Sequence, residues 1–186
     1  MRDLDILRAA QQLIADHGID AVSMSALAAA TGLSRPAIYQ YFASKEDVLA
    51  ELVINEMADL SNAIDEHISG IKDPMERIRI WIHYSLAHLA SADHRIIRQI
   101  SIDSLPEDKR GMLKAMHGHF MFALTSPVSE IGVADVTATC HLIYATVAAA
   151  AKRIDEGSEF VREAAALEQF TIAGLTSSAS SLSASS

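Results

Sequence analysis

The stretch Ser23 to Val48, SMSALAAATGLSRPAIYQYFASKEDV, limits what this chain can fold into more than any other feature. Ser23 and Ser34 stand where helices should begin, because a serine oxygen accepts a hydrogen bond from the free amides of a first helical turn. Between them Leu27, Ala28 and Ala30 supply a small apolar face. Thr31-Gly32-Leu33 interrupts it with a glycine able to take the left-handed conformation that ends helices. Ser44 is a third cap with Asp47 three residues on as a capping box, and Val48 opens a longer periodic run. The spacing predicts two short helices around a tight turn, a helix-turn-helix, followed at once by a long helix.

The rest of the chain keeps to helical periods. Leu4, Leu7, Ala10, Leu13 and Ile14 predict an amphipathic first helix ending near His17-Gly18. The third helix should span Ser34 to Phe42, with Ala37, Ile38 and Phe42 inward and Arg35, Pro36, Tyr39, Gln40 and Tyr41 outward. From Ser44 a stripe from Val48 to Ile68 predicts a helix of some six turns. Asp73-Pro74 caps the next, whose stripe runs Met75, Ile78, Ile82, Leu86 and Leu89. A shorter piece, His94 to Ile102, follows. Leu105-Pro106 opens a helix through Met112, Met116 and Phe120, which Pro127 should stop at Thr125, since a proline discourages helix in the residue before it. Two further helices, near Ala134 to Ile154 and Ser158 to Leu175, are rich in small residues. Ala138, Leu142, Ala145, Ala149 and Lys152 share one side of the first, and Phe160, Ala164, Leu167, Thr171 and Gly174 one side of the second. Small side chains let helices approach closely, so this pair suits half of a symmetric four-helix interface, an internal hairpin being the plainer alternative. The expectation is an all-α chain: a head over residues 1–47, a helical body over 48–175, and a disordered serine-rich tail over 176–186.

Charge and composition narrow the function. The formal net charge of −9 rules out a sequence-wide electrostatic grip on nucleic acid, so any such contact must be local. The single cysteine, Cys140, allows no internal disulfide and no cysteine cluster for zinc, which suits a reducing cytoplasm. No metal site is expected: His117 and His119 are two apart, and His83 and His88 five apart, so neither pair shares a helix face as an i, i+4 pair would. No catalytic residue and no cofactor is assigned, because the chain has neither a phosphate-cradling glycine loop nor a serine elbow.

The head, by contrast, carries the chemistry of base reading. The second helix of a helix-turn-helix enters the major groove and its N-terminal residues meet base edges. Here those are Ser34, Arg35, Pro36 and Ala37, with Gln40 one turn on. Arg35 can donate twice to a guanine edge, Gln40 can pair with adenine, and the Ala37 methyl can touch a thymine methyl. Ser23, Ser25, Tyr39, Tyr41 and Lys45 are placed to hold phosphates, and the free amides at the helix start after Ser44 would add to that grip. Against this, residues 1 to 49 hold four basic side chains and six acidic ones, which predicts weak non-specific affinity. In the body, Trp81, Tyr84, His88, Met112, Met116, His119, Phe120 and Phe122 mix apolar bulk with a few polar tips, a composition that suits either a small-molecule cavity or plain core.

The first fifty residues resemble the DNA-binding head of the tetracycline-repressor (TetR) family of bacterial transcription regulators. The resemblance rests on Gly18, Ser23, Leu27-Ala28, Gly32-Leu33-Ser34, Ile38-Tyr39, Tyr41-Phe42 and Ser44-Lys45-Glu46 at the separations that family uses. Beyond residue 50 it is one of architecture. It implies a homodimer formed through the last two helices, a largely apolar small-molecule effector bound in the body, and repression at a palindromic operator, with Tyr39 and Lys45 as the surest phosphate contacts. The rival is a dimeric ligand-binding or interaction module whose acidic head has lost DNA binding.

Overall fold

Each expected cap closes a helix in the computed structural model, which describes residues 2–183 and, from residue 178 on, the backbone alone. Ser23 Oγ accepts from the Ala26 amide at 3.1 Å, and α2 (Met24–Thr31) follows α1 (Arg2–His17). Gly32, at φ 69°, ends α2 with its amide on the Ala28 carbonyl, a backbone conformation that a side chain would strain. Ser34 Oγ accepts from the Ala37 amide at 3.3 Å and starts α3 (Arg35–Ile38). Then come α4 (Lys45–Ile68), α5 (Pro74–Leu89), α6 (Ala92–Ile97), α7 (Glu107–Ile131), α8 (Val136–Asp155) and α9 (Phe160–Ser183). Asp73 and Asp135 cap α5 and α8, accepting from Met75 and Ala138 at 3.0 and 2.9 Å. The described residues contain no strand, so the fold is all-α as expected.

Several details depart from the periodicity. The third helix is α-helical only over Arg35–Ile38. The next turn tightens, with the Gln40 amide on the Ala37 carbonyl at 3.2 Å and the Tyr41 amide on Ile38 at 3.0 Å. In α1, Leu4 is 51% exposed while Ile6 is fully buried, which rotates the apolar face by about half a turn from the expected one at that end. Ala30 of α2 is exposed, and Met24 takes the inward place. Pro127 does not stop α7 at Thr125: the helix runs through it to Ile131. Pro127 offers no amide to the Ala123 carbonyl. Burial of Leu124 and Val128 on either side outweighs that loss, each such side chain contributing about 1.5–3 kcal/mol. The serine-rich segment expected to be disordered from Thr176 continues α9 as far as Ser183, and 184–186 lie outside the described residues.

The chain forms two compact units. One comprises Met1–Ala58 with Ala92–Met116, the other Asp59–Ser91 with His117–Ser186. In the first, Ile6, Ala10, Leu27, Ile38, Val48 and Leu49 bury one another together with Ile97, Leu105 and Leu113. The core of the head therefore extends past residue 47 and recruits α6 and the start of α7. Glu51 meets Lys109 at 3.3 Å, and Glu56 meets His94 at 2.9 Å, across the same core. The second unit is built on Trp81, which is fully buried and donates from Nε1 to the Phe120 carbonyl at 3.1 Å. In this unit α5, α8 and α9 pack on one another. The Arg153 guanidinium grips Glu163 at 2.7 Å from both Nε and Nη2.

Candidate nucleic-acid interface

Short-range geometry presents the start of α3 to solvent. Ser34, Arg35, Pro36, Tyr39 and Gln40 are exposed, Ala37 is half-buried, and Ile38 beneath them is fully buried and anchors the turn. Ser23 and Ser34 spend an oxygen lone pair on their caps, so each hydroxyl proton stays available to a phosphate. Ser25 is exposed on the first turn of α2. Arg35 Nη2 donates to Tyr39 Oη at 3.4 Å, and its guanidinium carbon lies 5.8 Å from the centre of the Tyr39 ring.

The start of α4 is less open than the sequence implies. Ser44 Oγ accepts from the Asp47 amide at 3.0 Å and donates to Asp47 Oδ2 at 3.0 Å, so the acid closes on the hydroxyl. One free amide is thereby taken, and the first-turn carboxylates of Glu46 and Asp47 already complement the positive end of the helix. Lys45 supplies the cation there. Tyr41 lines an open groove of about 500 Å³ beside Asp3, Asp47 and Glu51, a setting that opposes a phosphate.

The residues proposed for a small-molecule cavity are not gathered in one place. Met112, 47% exposed, and Met116, packed against the first core, belong to the first unit. Trp81, Tyr84, His88, His119, Phe120 and Phe122 belong to the second. Within it the Trp81 ring lies 4.9 Å from that of Phe120 and 6.5 Å from that of Tyr144, a packed aromatic cluster. Tyr84 stacks on His67 at 4.5 Å, and His119 bonds Asp65 at 2.8 Å. Phe122 is 64% exposed. Tyr144 is the member of the aromatic cluster that sequence reasoning missed. Its place three residues before Val147, on the buried side of α8, was the available signal.

Comparison with known proteins bears on the head first. The family described as bacterial regulatory proteins, tetR family, matches residues 6–52, the segment that carries every base-reading and phosphate-facing candidate. The chain belongs to the TetR family. Among curated TetR-type relatives, HbdR of Aromatoleum sp. (strain CIB), an HTH-type transcriptional regulator, is 28% identical over 111 residues, 59% of this chain and 48% of that protein. The chain thus spans about half the length of that relative. The fatty acid metabolism regulator protein of Bacillus subtilis (strain 168) is 26% identical over 153 residues, 77% of this chain and 78% of its own. Among solved structures, AibR in complex with isovaleryl coenzyme A and operator DNA superposes with a TM-score of 0.76 at 19% identity, covering 91% of this chain and 97% of that one. The TetR fold therefore extends over the helical body as well as the head. No helix among the described residues is long and apolar enough to cross a membrane.

Proposed function

We propose that this TetR-family chain is a cytoplasmic, homodimeric repressor that binds a palindromic operator through α2 and α3 and is released by a small molecule with an apolar acyl part. The observation that carries the DNA half is the exposed set Arg35, Tyr39 and Gln40, held over the buried Ile38 within the family-matched head. Arg35 and Gln40 read bases. Ser23, Ser25, Tyr39 and Lys45 hold phosphates and fix register. The helix-turn-helix is a half-site reader, and two copies related by a twofold axis require a palindrome.

The dimer half is supported by what α8 and α9 leave uncovered. Leu142 is 67% exposed, Val161 78% and Phe170 69%, on two helices that pack together. Exposed large side chains gathered in one place mark an interaction surface. On α8 the outward side is Ala138, Leu142, Ala145 and Ala149, the side proposed from the sequence. On α9 it is Val161, Ala165 and Phe170, because Leu167 and Thr171 face the interior of the second unit.

Two relatives support the effector class: one is named for fatty acid metabolism, and the other was solved with isovaleryl coenzyme A. An acyl thioester in the second unit, near Tyr84, His88 and the aromatic cluster around Trp81 and Phe120, would act by favouring a conformation with lower operator affinity. The test is selection from a random DNA pool, followed by competition with acyl-coenzyme A thioesters of graded chain length. Enrichment of a palindrome and release by one chain-length class are expected. A head that enriches no sequence would sink the repressor reading in favour of a DNA-silent binding module.

A further inference from the structure

The repressor reading gives Arg35 the bases and Tyr39 a phosphate, as separate contacts. We propose that Tyr39 is also a positioning residue for base choice: it holds the Arg35 guanidinium in the orientation that reads a guanine. The proposal rests on the DNA-binding reading above and adds a coupling between two of its residues.

Residues 35 and 39 are one turn apart and so share a face at the start of the recognition segment. The Arg35 carbon lies 5.8 Å from the Tyr39 ring centre, within the range where a cation is drawn to the negative face of an aromatic ring. At the same time Nη2 donates to Tyr39 Oη at 3.4 Å. Ring and hydroxyl thus hold the same guanidinium from two directions. Among the described residues this is the one hydrogen-bond partner of Arg35. Both side chains are exposed, Tyr39 by 45%, so no core packing holds either of them in place.

The chemistry leaves the reading edge open. Nη2 carries two protons, and giving one to Tyr39 leaves the other beside those of Nη1, the pair needed for guanine O6 and N7. The phenol accepts from Arg35 through its lone pair, so its own proton remains for a phosphate. One side chain then ties backbone register to base reading. A long arginine that is already ordered loses less rotamer freedom on docking, and that gain is realised only where a guanine completes the bond. Discrimination should rise more than overall affinity.

The test uses the full-length protein on its selected operator and on a copy with the Arg35-contacted guanine replaced, at one fixed salt concentration. Wild type should prefer the guanine by about tenfold or more. Tyr39→Ala should shrink that ratio at least threefold, while Tyr39→Phe, which keeps the ring, should hold it within twofold of wild type. In an Arg35→Ala background, Tyr39→Ala should lower affinity without changing the ratio. If Tyr39→Ala weakens both operators by the same factor, Tyr39 is a phosphate contact alone and the proposal is overturned. A wild type that enriches no sequence overturns the repressor reading and this coupling with it. Circular dichroism confirms that the variants fold, as their exposure predicts.

Discussion

At the scale of single residues, the head separates contacts that choose from contacts that hold. Arg35→Ala should relax base preference at one operator position by about 1–3 kcal/mol, read as a flattened profile in competitive binding. Lys45→Ala should weaken all sequences alike and lower the slope of log affinity against log salt by about one. Uniform loss in both variants would remove Arg35 from base reading. Ser34→Ala tests the cap itself. Its oxygen meets the Ala37 amide at 3.3 Å on an exposed turn, so about 1 kcal/mol of thermal stability should go, measured as a fall in Tm. These roles were legible in the sequence because caps, a glycine stop and a buried Ile38 are set by neighbours a few residues apart. The Ser44 and Asp47 geometry was legible only in part: the pair is real, but the carboxylate meets the hydroxyl where a capping box would have it reach the backbone amide.

At the scale of elements, the join between α8 and α9 is held by charge as well as by packing. The Arg153 guanidinium holds the Glu163 carboxyl below its usual range, and Glu163 in turn raises Arg153. A depressed carboxylate stabilises the fold above its unfolded value of about 4.3 and loses that contribution as pH falls through its lower folded value. Tm followed from pH 6 to pH 3 should therefore drop more steeply in wild type than in Glu163→Gln. Equal slopes would show that the pair adds nothing to folding. Helix existence was readable from period and punctuation throughout, whereas helix ends were not. Pro127 is the clear case: local propensity argued for a stop, and the burial of Leu124 and Val128 kept the helix going.

For the whole molecule, the prediction concerns assembly. Leu142→Glu combined with Phe170→Glu places charge on side chains 67% and 69% exposed, so the protomer should keep its helicity while the dimer dissociates. Light scattering should then give a mass near the chain's 20.1 kDa, and operator affinity should fall about 100-fold or more, because one half-site cannot draw on its twin. A dimer that survives both substitutions would place the interface elsewhere.

What the sequence by itself determined is the local grammar: an all-α chain, a helix-turn-helix at Ser23 to Val48, and the side chains that reading a base edge requires. Periods of three and four, caps and glycine turns act within one or two turns of helix, so they are written wherever the residues are. Tertiary structure decided what depends on distant partners. It gave the head a core that reaches to Leu113, turned Val161 and Phe170 of α9 outward in place of Leu167 and Thr171, and assigned Met112 and Trp81 to different units. Amphipathic periodicity says that a helix has a buried face, but several faces of an alanine-rich helix are apolar enough to serve. Which one is buried is settled by the helices that pack against it.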